Sequence, residues 1–130
     1  DIAAIAGNRA GTIYGLPVLQ KDIQDEPSNT TRFIILGETI PDPTGSDKTS
    51  LVCSTPDKPG ALYKVLGVLA EHGVNMVKLE SRLTRGTLQD YIFYIDVEGH
   101  QRDEKIAKML EEIKQYTSSL KVLGSYPEAT

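Results

Sequence analysis

Three short runs in this sequence set anion-binding or proton-moving groups on backbone suited to hold them. Pro59-Gly60-Ala61-Leu62 lies where an apolar stretch runs into an amphipathic one. A helix beginning there has unpaired N–H donors and the positive end of the macrodipole, and nothing larger than a methyl group at Gly60 or Ala61 keeps a carboxylate or phosphate away. Pro59 suits the first helical position, where its missing donor costs nothing. An ordinary helix start that binds only water carries the same pattern. Asn29-Thr30-Thr31-Arg32-Phe33 runs from a polar turn into an expected strand, which would hold a hydroxyl and a guanidinium at a strand end. Arg32 can take a carboxylate in bidentate fashion, and the Thr31 hydroxyl can donate a hydrogen bond or help proton transfer. An Asn-led turn with a surface arginine is the plain alternative. Glu80-Ser81-Arg82 points an acid, a hydroxyl and a guanidinium alternately to the two faces of a strand, where they either hold a ligand or form a rim salt bridge. Asn75, just after Gly73, can orient an amino or carboxylate group or simply cap that turn.

The remaining polar residues carry less chemistry. His72 falls at a helix end and His100 in a polar loop, neither with a metal-binding companion, so no role and no metal are assigned to them. Cys53 is the single cysteine, which rules out an internal disulfide and places a small core residue in an apolar strand. The balance of 14 basic and 18 acidic side chains has the wrong sign for a general phosphate-backbone binder. Gln89 to Val97 does not match the third-strand pattern of the RNA recognition motif, which shares the strand order described next. No apolar run approaches membrane-spanning length, so neither nucleic acid nor membrane is an expected partner and a cytosolic setting fits.

The elements that must position these residues follow from periodicity. Residues 1 to about 37 suggest a short helix over Ile2 to Ala6, a Tyr14-Gly15-Leu16-Pro17 turn, an extended stretch at Val18-Leu19 and a strand at Phe33 to Leu36. So short a segment hides too little surface to offset chain entropy and needs partners. Beginning at Asp1 inside a helical pattern, the chain reads as the C-terminal piece of a longer polypeptide. Residues 41–47, rich in Pro, Gly and polar side chains, read as a linker.

From Lys48 strands and helices alternate. Leu51 to Cys53 is apolar; Leu62, Val65, Leu66 and Leu69 recur at helical spacing before a left-handed stop at Gly73. Val74 to Leu83 and Tyr91 to Val97 form strands about a turn at Arg85-Gly86-Thr87. Ile106, Met109, Leu110 and Ile113 repeat the helical stripe behind an Asp103 cap, and Leu120 to Leu123 is a last strand. This βαββαβ order predicts a ferredoxin-like α+β plait, a four-stranded antiparallel sheet with both helices on one face. Strict alternation in the second strand sets Val77 and Leu79 against Val74 and Met76, as Ile92 and Tyr94 stand against Phe93 and Ile95 in the third. Both faces then carry apolar side chains, which predicts a homo-oligomer.

The three runs together resemble the C-terminal part of prephenate dehydratase, an enzyme family often fused to chorismate mutase. Asn29-Thr30-Thr31-Arg32-Phe33 is similar to the family's N-x-T-R-F run, Gly60-Ala61-Leu62 to the start of G-A-L-V, and Glu80-Ser81-Arg82 to the first three residues of E-S-R-P. The likeness extends from Ala3-Ala4-Ile5-Ala6 to Leu123-Gly124-Ser125-Tyr126-Pro127. Tyr63 and Leu83 depart from the usual valine and proline. The resemblance implies an ACT domain over 48–127 that binds phenylalanine at a dimer interface. Gly60, Ala61 and Leu62 of one copy would face Asn75, Met76, Glu80, Ser81 and Arg82 of the other in a homodimer or homotetramer. It implies that residues 1–40 end a periplasmic-binding-protein-like α/β catalytic domain converting prephenate to phenylpyruvate, water and carbon dioxide without a cofactor. Thr31 would assist departure of the hydroxyl, while Arg32 or Asn29 would hold a carboxylate or, with Phe33, the geometry of the site. Two alternatives remain open: an ACT-type dimerisation module with a degenerate pocket, and the regulatory part of an arogenate dehydratase.

Overall fold

A computed structural model describes residues 2–28, 31–83 and 91–128 of the chain. The contacts divide it into two units, Asp1–Leu36 and Gly37–Thr130. In the first unit the regular element is α1 (Asn8–Tyr14), which buries none of its residues. Ile2 to Ala6 are not helical, in contrast to the pattern of their side chains. Five residues cannot repay helix nucleation, and Gly7 instead serves as an extended N-cap whose carbonyl accepts from the Ala10 N–H at 2.9 Å. Gly15 ends α1 in the left-handed region at φ +64°, where L side chains are strained. Phe33 to Leu36 form no strand. A strand needs a neighbour for its backbone groups, and these residues pair with none among those described.

The second unit contains β1 (Asp47–Thr55), α2 (Ala61–Glu71), β2 (Met76–Leu83), β3 (Tyr91–Glu98), α3 (Glu104–Ile113), a 3₁₀ turn (Lys114–Tyr116) and β4 (Ser119–Pro127). The sheet order is β2-β3-β1-β4 and every pairing is antiparallel, as the βαββαβ pattern predicts. The expected turn over 85–87 lies outside the described residues. Leu51 and Cys53 of β1 and Phe93, Ile95 and Val97 of β3 face Val65, Val68 and Leu69 of α2 and Ile106, Met109, Leu110 and Ile113 of α3 in one buried cluster. Leu66, on the predicted stripe, is only half-buried, and Val68 takes the deeper place.

Local signals set the ends of α2. The Gly73 N–H bonds the Ala70 carbonyl at 3.0 Å and the Val74 N–H bonds Leu69 at 2.8 Å, a Schellman closure with Gly73 at φ +60°. Pro59 is not the first helical residue: Gly60 at φ +81° is the N-cap and Pro59 precedes it. Asp103 is the N-cap residue of α3, but its carboxylate turns backwards to accept the His100 N–H at 2.8 Å, leaving the helix amides alone.

Two irregularities decide which side chains share a face. The β2–β3 register shifts between Met76 and Lys78, so Met76 pairs with Val97 while Leu79 pairs with Ile95 on the same, helix-covered side. Lys78, Glu80 and Arg82 pair with Asp96, Tyr94 and Ile92 and occupy the open side. Strict alternation, which put Leu79 opposite Met76, fails at this bulge. The open face is therefore lined by charges along β2, with Val52, Ile92 and Tyr94 as its apolar patch. A second shift between Ser50 and Leu51 in the β1–β4 pairing leaves Leu123 exposed beside Gly124.

Candidate functional site

The β1–α2 corner is built around Gly60. A Cβ placed there would meet nothing within 4 Å, so the left-handed backbone of Gly60, rather than crowding, demands glycine. Its carbonyl accepts the Lys64 N–H at 3.2 Å, while the Ala61 N–H is taken by the Lys58 carbonyl at 3.1 Å. The Leu62 and Tyr63 N–H groups have no partner among the described residues. These two amides, at the positive end of α2, are donors the corner offers an anion, as is the Gly60 N–H, which likewise has no partner among the described residues. Ala61 thus lends a small side chain and not its amide, and Tyr63 contributes through its backbone whatever its side chain. The sequence identified the corner but not which amides remain open, because that depends on the turn over 58–61. A cavity of about 300 Å³ adjoins it, walled by Lys58, Pro59, Ala61, Lys64, Tyr116 and Thr117 among others. Leu62 is half-buried against the core cluster, and the Tyr63 ring is exposed.

The β2 residues are held separately. Asn75 donates its amide to Glu98 Oε1 at 2.9 Å and its carbonyl accepts the Glu98 N–H at 3.0 Å, which ties the start of β2 to the end of β3. Met76 is half-buried against the core. Glu80 accepts from Arg82 Nε at 3.1 Å and Nη2 at 2.9 Å, and Lys78 Nζ lies 3.3 Å from its other oxygen. The Arg82 hydrogen bonds, followed by those from Lys78, hold the Glu80 carboxyl below its ordinary range, and Glu80 in turn raises Arg82. The Arg82 guanidinium also stands over the Tyr94 ring, 5.8 Å from its centroid. Ser81 pairs with Phe93 on the helix side, so Glu80-Ser81-Arg82 does point to alternate faces. Glu80 and Arg82 satisfy one another on an exposed strand, as a rim salt bridge would.

The third run is not assembled in the same way. Thr31, Arg32 and Phe33 are exposed and belong to no regular element, with Phe33 at 85%. Asn29 lies outside the described residues; among those described, 31–36 form no strand to hold the Thr31 hydroxyl and the Arg32 guanidinium at its end. Among the described residues no group of three His, Cys, Asp or Glu side chains is arranged to hold a metal ion, and no helix is long and apolar enough to cross a membrane.

His100 is the residue that the sequence most underrated. Its pattern suggested a polar loop, yet its side chain is fully buried. The Arg102 N–H donates to Nδ1 at 3.1 Å, which assigns the proton to Nε2, and Nε2 lies 3.0 Å from the Pro41 carbonyl.

A model of the ACT domain matches residues 49–115, just over half of the chain, and one of prephenate dehydratase matches residues 1–40. The chain therefore belongs to the ACT domain family. More particularly, its relatives are prephenate dehydratases and their kin. It is 47% identical over 126 residues to a bifunctional chorismate mutase/prephenate dehydratase of Aquifex aeolicus, a match covering 97% of this chain and 35% of that protein. It is 41% identical over 141 residues to a chloroplastic arogenate dehydratase/prephenate dehydratase of Arabidopsis thaliana, covering all of this chain and 37% of that one. A crystal structure of prephenate dehydratase in complex with L-Phe from Arthrobacter aurescens aligns with a TM-score of 0.63 at 38% identity, over 71% of this chain and 30% of that chain. The chain spans about a third of the length of the curated relatives it matches.

Proposed function

We propose that this chain is the C-terminal part of a prephenate dehydratase, with residues 1–40 completing the catalytic domain, 41–47 a linker and 48–127 an ACT domain that binds L-phenylalanine and restrains the enzyme. The observation that carries the effector reading is the Gly60 corner, which presents the Leu62 and Tyr63 amides to an anion beside a half-buried leucine. A carboxylate suits those donors, and an aromatic ring suits apolar neighbours such as Leu62 and Met76. The similarity to a relative crystallised with L-Phe supports the choice of amino acid. By the same resemblance the second wall of the pocket would come from another copy, with Asn75, Met76, Glu80, Ser81 and Arg82 facing the Gly60, Ala61 and Leu62 of that copy in a cytoplasmic homodimer or homotetramer.

In the full-length protein Thr31 would assist loss of the ring hydroxyl of prephenate as carbon dioxide leaves, giving phenylpyruvate, while Asn29, Arg32 and Phe33 keep the substrate in place. Aromatisation of the ring drives the step, so positioning and a proton donor suffice. Two measurements test the reading. Titrating L-phenylalanine, tyrosine and tryptophan into the full-length protein should give saturable heat with phenylalanine and restrain turnover; silence from all three favours a dimerisation module. Thr31→Ala should lower turnover by about 10²–10⁴-fold, the usual worth of a positioned proton-transfer group. Near-normal turnover removes Thr31 from that role, and turnover of arogenate alone overturns prephenate as the substrate.

A further inference from the structure

The segment that leads into β1 is fastened to the sheet by one buried imidazole. His100 has no accessible surface, and its Nε2–H donates to the carbonyl of Pro41, 59 positions away. The loop carrying His100 is itself anchored from several sides. The Gly99 N–H bonds the Asp47 carbonyl at 2.7 Å, the Thr49 hydroxyl bonds the Gly99 carbonyl at 2.7 Å, and the His100 N–H bonds Asp103 Oδ2 at 2.8 Å. Gly99 sits at φ +106°, and a Cβ there would come within 2.9 Å of Ile106, so the loop passes close against α3 and needs glycine. Outside this core fastening, Arg102 Nη1 pairs with Asp42 Oδ1 at 2.6 Å on the surface.

We infer that His100 is a positioning residue: it latches residues 41–46 to the β3–α3 corner, so that a rearrangement of the regulatory unit is passed to the unit ending at Leu36 instead of being absorbed by a slack connection. The fully buried imidazole holds one arrangement because its N–H, left without the Pro41 carbonyl, is costly. The inference rests on the regulatory reading above, since a latch has a use in coupling only if an effector shifts the regulatory unit.

The test uses the full-length protein and two near-isosteric variants. The Gln amide of His100→Gln extends far enough to replace the donor to Pro41, whereas the shorter His100→Asn retains an acceptor for Arg102 and loses that donor. Hydrogen exchange over residues 38–46, read without any effector, should quicken at least about tenfold in His100→Asn and much less in His100→Gln. Equal exchange in all three proteins overturns the latch whether or not phenylalanine binds. With phenylalanine, His100→Asn should bind within about threefold of the parent while its residual turnover at saturating effector rises at least about fivefold, and His100→Gln should restore restraint. Unchanged binding with unchanged restraint overturns the coupling role alone, and no binding to the parent overturns the regulatory reading instead. Should His100→Asn fail to fold, the parent itself decides: the amides over 38–46 should exchange at least about tenfold more slowly than in an unstructured peptide, and exchange at the free-peptide rate overturns the latch.

Discussion

Ile34, Ile35 and Leu36 stand 68%, 94% and 92% exposed, whereas Ile95, Ile106 and Ile113 have no accessible surface at all. The side chains are chemically the same kind, and the two regions are separated by what surrounds them. From Gly37 onward, two helices lay matched apolar stripes over alternate residues of an antiparallel sheet, and each strand finds a neighbour for its backbone. Before it, among the described residues, one helix of seven residues buries nothing and the apolar run at 33–36 joins no ladder. Apolar content supplies a driving force only where a second layer receives it. Ile2, Ile5, Tyr14, Leu19 and Phe33 to Leu36 all stand exposed, which agrees with the proposal that this region completes a larger catalytic domain.

The most severe trial of this contrast is a matched pair of truncations. Ile95→Ala should lower the stability of the chain by about 2–5 kcal/mol, the usual cost of a cavity in a closed core, while Ile35→Ala stays within about 0.5 kcal/mol. Urea denaturation of both variants checks this, and equal losses would erase the distinction between the regions. A smaller effect is expected at the helix stops. Gly73→Ala forces a Cβ into φ +60° at the Schellman closure of α2 and should cost about 1–2 kcal/mol of global stability. Gly15→Ala meets similar strain at φ +64° but should fray α1 without moving the global midpoint, since that helix buries nothing. Circular dichroism alongside the urea midpoint separates the two outcomes.

The smallest effect concerns acid. Burial raises the Asp47 carboxyl, but bonds from the Thr44 N–H and hydroxyl and the Gly45 N–H outweigh it and hold the group below its ordinary value of 3.8. A depressed carboxylate contributes stability that is present above that value and is lost as the pH falls through the lower, folded one. Asp47→Asn should therefore be less stable than the parent at neutral pH, with the gap closing as the pH falls below the ordinary carboxyl value of 3.8. A gap that stays constant from pH 7 to 3 would show that the turn over 44–47 gains nothing from the charge. The acid response should track the Gly37–Thr130 unit, where Asp47 begins the central strand.

Much of this was legible beforehand because local chemistry and global fold agree in the second unit. Helical spacing at Ile106, Met109, Leu110 and Ile113 marked a face that is buried throughout, and Gly73 marked a stop that closes as written. Cys53 was recognisable as a core residue, and burial pushes its thiol up to about 11. The Glu80-Ser81-Arg82 alternation also survived, though the bulge at Val77 turned Leu79 to the helix side of the sheet, where it stays 38% exposed on the edge strand, since one added residue inverts every position after it. Pro59 and Ile2 to Ala6 misled for a shared reason: propensity names residues that tolerate a helix, while the cap and available length decide where one starts.

The order of apolar and polar residues was enough to determine the βαββαβ arrangement, because periods of 3.6 and 2 are properties of the chain itself. It also marked Gly60 as the place where backbone is bare. Only the folded chain decided which amides there remain open, that Glu80 and Arg82 share the open face, and that His100 is sealed under Pro41. The last two depend on the register of β2 against β3 and on a contact across 59 positions, and no local preference of either partner records such a meeting.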